Sequence, residues 1–144
     1  ALCLCMELRR QGRMLPGALL LMSPWTDMSA SGASYTERAE MDPMLTLEYI
    51  HAVREAYAPG LDPGSSRLSP LFGDFACFPP TLIQVGSHEI LYSDSERLCA
   101  RMKEAGVPCR LEVWEDMWHV FQIFPVKKAS QAMENMAQFL LEEL

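Results

Sequence analysis

Thr81-Leu82-Ile83-Gln84-Val85, with the turn Gly86-Ser87-His88-Glu89 behind it, is the stretch whose reading decides the fold. It is a short apolar run, set off by Pro79-Pro80 before it and Gly86 after it, of the kind shown by a strand buried on both faces. Upstream, Ala18 to Met22 has the same character. Downstream, Leu91, Leu98, Cys99 and Met102 form the inner stripe of a helix that Gly106 and Pro108 stop. Cys109 to Trp114 then alternates Arg110 and Glu112 with Leu111 and Val113, as a strand partly facing water would. A last helix packs Ala129, Met133, Met136, Ala137, Leu140 and Leu144. Strands separated by helices in this way form a parallel sheet by right-handed crossovers.

The N-terminal half completes the order. Ala1 to Gln11 reads as a helix with no Ser, Thr, Asp or Asn ahead of it to cap its start, and Gly12 ends it. Ser23-Pro24-Trp25-Thr26-Asp27 breaks the first strand, and the polar stretch that runs on to Asp42-Pro43 reads as a surface loop. From Thr46 to Tyr57, Leu47, Ile50, Val53 and Tyr57 fall at helical spacing, which predicts one packed face and one solvated face with Glu48, His51 and Glu55. A long connection follows, with turn chemistry from Pro59-Gly60 to Pro79-Pro80; such loops shape sites or lids. The predicted order is α-β-α-β-α-β-α. Three parallel strands leave a buried-type strand at an open edge, which natural folds avoid. With the uncapped first helix, this predicts that residues 1–144 are the C-terminal part of a larger α/β domain.

Composition narrows the function classes. A net charge of −7 with only short basic clusters, Arg9-Arg10 and Lys127-Lys128, lacks the positive footprint that phosphate backbones require, so nucleic acid is excluded as a partner. The longest apolar runs fall far short of the roughly 20 residues that span a bilayer, and no basic segment precedes a cleavable apolar one, which predicts a soluble chain without a targeting signal. Five cysteines, Cys3, Cys5, Cys77, Cys99 and Cys109, make an odd count with no zinc-type spacing. They read as small buried hydrophobes in a reducing compartment, with the cytoplasm as the default.

In open parallel sheets, ligands bind at the carboxyl ends of strands. Here those segments are Ser23 to Asp27, Gly86 to Glu89, and Glu115-Asp116-Met117-Trp118-His119. A carboxylate in the second and a histidine in the third match the last two members of an acyl-transfer triad in the chain order Ser, Asp/Glu, His. The imidazole would take the nucleophile's proton while the carboxylate fixes its tautomer. Glu89 lies 30 residues before His119. It also reads as a charge favoured by a helix N-terminus. His88 reads as a solvated neighbour, and His51 has no assigned role. Trp25, Trp118, Phe121 and Phe124 could wall an acyl or alcohol pocket or fill the core.

The wording around these residues carries a resemblance. Leu19-Leu20-Leu21-Met22-Ser23-Pro24-Trp25-Thr26-Asp27, Ser69-Pro70-Leu71, Pro79 through Ser87, and Leu111-Glu112-Val113-Trp114 through Met117-Trp118-His119-Val120-Phe121 are similar, in this order, to the bacterial hormone-sensitive-lipase-like carboxylesterases of the α/β-hydrolase fold. The resemblance implies a serine esterase acting on short or medium acyl esters, with no metal or organic cofactor. Its implied partners are a small-molecule ester, the remainder of the hydrolase domain and a second copy in a homodimer. His119 matches the family's catalytic histidine. Glu89 matches its acid, more often written Asp, with Asp94 as the fallback. Asp27 matches a recurrent residue of structural role. The nucleophile elbow Gly-x-Ser-x-Gly and the oxyanion motif His-Gly-Gly-Gly occur nowhere in the sequence. That departure leaves a rival reading, a non-catalytic fragment or pseudo-enzyme serving as a binding module.

Overall fold

The computed structural model describes all 144 residues. Helix α1 (Leu2–Arg10) leads into strand β1 (Leu19–Met22); the short helix α2 (Ser34–Glu37) and helix α3 (Leu47–Tyr57) precede β2 (Thr81–Gly86). Helix α4 (Tyr92–Glu104), β3 (Cys109–Trp114) and α5 (Lys127–Glu143) follow, with single 3-10 turns at Pro70–Phe72 and Phe121–Ile123. The sheet is wholly parallel in the order β1-β2-β3. Leu19 pairs with Thr81, and Thr81 with Cys109, so the three strands start level, and β2 and β3 run two residues past the end of β1 at the same edge of the sheet. No helix is long and apolar enough to cross a membrane.

β2 is buried along its whole length because both its faces are covered. Side chains alternate across a strand. Leu19, Leu21 and Ile83 therefore meet Leu2, Cys5, Leu98 and Met102 of α1 and α4, while Leu82 meets Met136 and Phe139 of α5. Gln84 shares the α5 face, where its amide donates to the Ala132 carbonyl (2.8 Å) and the Glu112 carboxylate (2.9 Å). A glutamine in the central strand is thus paid for in hydrogen bonds. Gly12, at φ 65°, takes the left-handed conformation that ends α1.

Five expectations are corrected. Cys3 and Cys77 are exposed rather than buried, Cys3 because it lies on the face of α1 opposite the one that packs Leu2 and Cys5 on the core. The stretch from Ser23 to Pro43 is not simply a surface loop, since Thr26, Asp27, Ser34 and Tyr35 are buried. Its polarity is consumed internally: the Ser34 hydroxyl donates to the Ile90 carbonyl (2.5 Å), and Tyr35 packs with Leu45, Ile50, Ile90 and Leu91. Tyr57 is exposed, because α3 rests on the core through buried Ile50 and half-buried Leu47 in its first turns. Val113 is exposed at the edge of the sheet, whereas Glu112 is half-buried against Asn135 of α5 (3.1 Å). The buried stripe of α5 is Ala129, Ala132, Met136 and Phe139, with Met133 and Leu144 exposed. The helix is rotated so that Phe139 covers Leu82 and small Ala132 admits the Gln84 amide.

Candidate active site

Strand ends at the same edge of the sheet bring three loops together. The loop after β1 begins at Ser23, whose N–H donates to the Gln84 carbonyl (2.8 Å) and so extends the ladder by one residue before the chain turns. The loop after β2 docks directly on the loop after β3: Ser87 N–H donates to the Trp114 carbonyl, His88 N–H to the Met117 carbonyl (both 2.9 Å), and Asp116 N–H to the Ser87 hydroxyl (2.8 Å). Five non-glycine residues have positive φ, and Ser23 (45°), Asp116 (59°) and Val120 (45°) are among them. Backbone strain of this kind costs on the order of 1 kcal/mol per residue and concentrates where a site over-determines it.

Glu89 is fully buried between these loops. Its Oε1 accepts from the Ser23 hydroxyl (2.8 Å) and from Gly86 N–H (2.5 Å), and its Oε2 lies 3.1 Å from His119 Nδ1. Val120 N–H, next to that histidine, donates back to Ser23 Oγ (3.1 Å). The pair is a carboxylate whose Oε1 is held by two fixed donors and whose Oε2 faces one edge of an imidazole that keeps 22% of its side chain exposed. His119 also borders an apolar cavity of about 520 Å³, walled by Trp25, Met44, Tyr49, Ile50, Val53 and Leu91. Such an arrangement can hold a proton at Nδ1 and accept another at Nε2.

Residues 1–123 match the family model of the α/β-hydrolase fold. This chain belongs to the α/β-hydrolase family. An esterase of Acinetobacter venetianus is 36% identical over 142 residues, which span 96% of this chain and 47% of that protein. An acetyl-hydrolase of Streptomyces hygroscopicus is 38% identical over 135 residues, 92% of this chain and 45% of its own. The crystal structure of an esterase from the bacterial hormone-sensitive lipase family superposes with a TM-score of 0.96 at 39% identity, over 99% of this chain and 48% of that one. The branch is therefore the hormone-sensitive-lipase-like one. The chain spans about half the length of these relatives, and its sheet and helices match the C-terminal half of the fold.

The other sequence candidates separate around this centre. Asp94 is not the partner of His119: its Oδ2 accepts from the N–H groups of Thr26 (2.7 Å) and Asp27 (2.8 Å) and pins the loop after β1. Burial pushes its carboxyl up to about 6, although those two donors pull the other way. Asp27 is itself a hub, accepting from Ser29 N–H (2.9 Å), the Ser29 hydroxyl, the Ser31 hydroxyl (2.6 Å) and Arg97 (2.9 Å). Burial opposes its ionisation, but these donors outweigh it and hold the carboxyl below its ordinary range. His88 is half-buried, 3.7 Å from Asp116. Trp25 lines the cavity, while Phe121 is core, packed on Trp114 at 5.6 Å between ring centroids. No motif in the sequence marks Ser23, which lacks an elbow's glycines. Its place at the carboxyl end of β1 was the one available signal.

Proposed function

We propose that this chain supplies the acid and histidine of a Ser-Glu-His triad, as the C-terminal part of a serine carboxylesterase acting on short or medium acyl esters. The observation that carries the reading is the buried Glu89 carboxylate 3.1 Å from His119 Nδ1, with the imidazole bordering an apolar cavity. In this mechanism His119 Nε2 takes the proton of a serine hydroxyl as it attacks the ester carbonyl, then returns it to the leaving alcohol. Glu89 holds the Nδ1–H tautomer and stabilises the imidazolium. The nucleophile and oxyanion donors come from the remainder of the domain, since no elbow or His-Gly-Gly-Gly occurs in these 144 residues. The esterase and acetyl-hydrolase relatives support an ester substrate with a small acyl group. The odd number of thiols favours the cytoplasm as the compartment.

The test is kcat/KM of the whole protein on one short-chain ester. Glu89→Gln keeps shape but removes the charge opposite the imidazolium, so kcat is expected to fall about 10²- to 10⁴-fold with the melting temperature unchanged. His119→Ala should be at least as damaging, and His88→Ala should cost little. The 144-residue chain by itself is expected to turn over p-nitrophenyl butyrate no faster than buffer does. A crippled His88→Ala beside a near-wild-type Glu89→Gln would remove the acid from position 89. Full activity in both Glu89→Gln and His119→Ala would remove the triad reading, and a wild-type whole protein that turns over no ester would leave a binding module in place of an enzyme half.

A further inference from the structure

We propose that Ser23 is a positioning residue for the acid and histidine, a third side chain that locks Glu89 and the His119 loop into one geometry. The inference rests on the triad reading above and adds to it a residue from a different strand. Ser23 is 3% exposed, and its single hydroxyl is used in both directions. It donates to Glu89 Oε1 at 2.8 Å and accepts from Val120 N–H at 3.1 Å. A serine hydroxyl has one proton to give, so the direction of both bonds is set: an N–H can only donate, and the remaining proton must go to the carboxylate. One atom at the end of β1 therefore ties the loop after β2 to the loop after β3.

The backbone at Ser23 argues the same way. With φ at 45° and Pro24 following, this is a position where glycine or asparagine would sit at less steric cost. Glycine has no hydroxyl. Asparagine would have to fit a larger amide beside a fully buried carboxylate. Serine is the small residue that brings a donor to Glu89, and the strained conformation aims it there. Without the hydroxyl, Glu89 Oε1 keeps only the Gly86 N–H, and Val120 N–H has no partner, one residue from the imidazole. Both the carboxylate and the ring then gain freedom at the step where their alignment counts.

Ser23→Ala and Ser23→Gly in the whole protein separate the hydroxyl from the backbone, because glycine relieves the positive φ while removing the same oxygen. Both are expected to lower kcat about 10- to 100-fold on a short-chain ester while KM stays near the wild-type value. Combined with Glu89→Gln, either should cost less than the product of the two single losses, since the part of its effect that runs through Glu89 has nothing left to position. Wild-type kcat in Ser23→Gly with an impaired Ser23→Ala would make the position a backbone requirement and overturn the proposal. Full additivity with Glu89→Gln would also overturn it. A near-wild-type Glu89→Gln removes the triad reading itself, whereas a crippled Glu89→Gln beside two fully active Ser23 variants leaves that reading standing and removes only the role of Ser23.

Discussion

Gly86 lies where the acid loop and the histidine loop are pressed together. A side-chain carbon at this position would lie 2.1 Å from the Met117 carbonyl oxygen and 2.5 Å from its carbon, and both are backbone atoms that cannot swing aside. Gly86 N–H meanwhile donates to Glu89 Oε1. Gly86→Ala is thus expected to push the loop after β3 away from Glu89, destabilising the fold by ~1–3 kcal/mol and lowering kcat further than that instability explains. Urea unfolding with kcat measured on the folded fraction checks both parts; a variant as stable and active as wild type would show that the loops have room to part. Glu89 and His119 were legible in the sequence because their strand-end positions and the wording around them match a known order. The requirement for glycine at 86 was not, because the clash is with a residue 31 positions away that only the docking of two loops brings near.

At the scale of elements, β2 was the clearest, since a strand covered on both faces must read as a continuous apolar run. Helix α5 was the least clear. Ala129-Ala132-Met136-Phe139 and the neighbouring stripe through Met133, Leu140 and Leu144 are both compatible with helical period. Choosing between them needs the surface that receives the helix. Helix α3 shows a related limit: its period was right, yet only Ile50 is buried, and Tyr49 and Val53 line the cavity beside His119. With so little packing, its N-terminal cap carries weight. The Thr46 hydroxyl accepts from Tyr49 N–H at 3.1 Å. Thr46→Ala is expected to weaken α3 by about 1 kcal/mol, read as roughly five-fold faster hydrogen exchange across Leu47–Tyr57 with β2 unaffected. Equal loss of protection in β2 would mean that α3 unfolds only with the whole domain.

For the molecule as a whole, two buried carboxyls give stability opposite dependences on pH. Asp94, pushed up to about 6 by burial, keeps a proton between pH 4 and 6 that the unfolded chain has released. The folded state then binds more protons, so this group's contribution is greatest below pH 4 and is lost as pH rises to 6, by about 3 kcal/mol. Asp27 lies below its ordinary value, so its contribution is present above pH 4 and is lost as acid protonates it in the folded state. Urea unfolding from pH 4 to 7 is expected to show stability declining toward pH 6 in the wild-type chain and a flat profile in Asp94→Asn; equal slopes would place the titration elsewhere. By itself the sequence determined the strands, the helices that separate them, the parallel sheet and the two loops that hold Glu89 and His119, because these follow from local period and from strand-end position. Tertiary structure alone decided the face of α5, the burial of Asp27 and Tyr35, the turning of Asp94 toward Thr26 and the hydroxyl of Ser23 between two loops. Each of those depends on groups distant in the chain meeting at one place, and the energies that select them, desolvation and paired hydrogen bonds, exist only once the loops have docked.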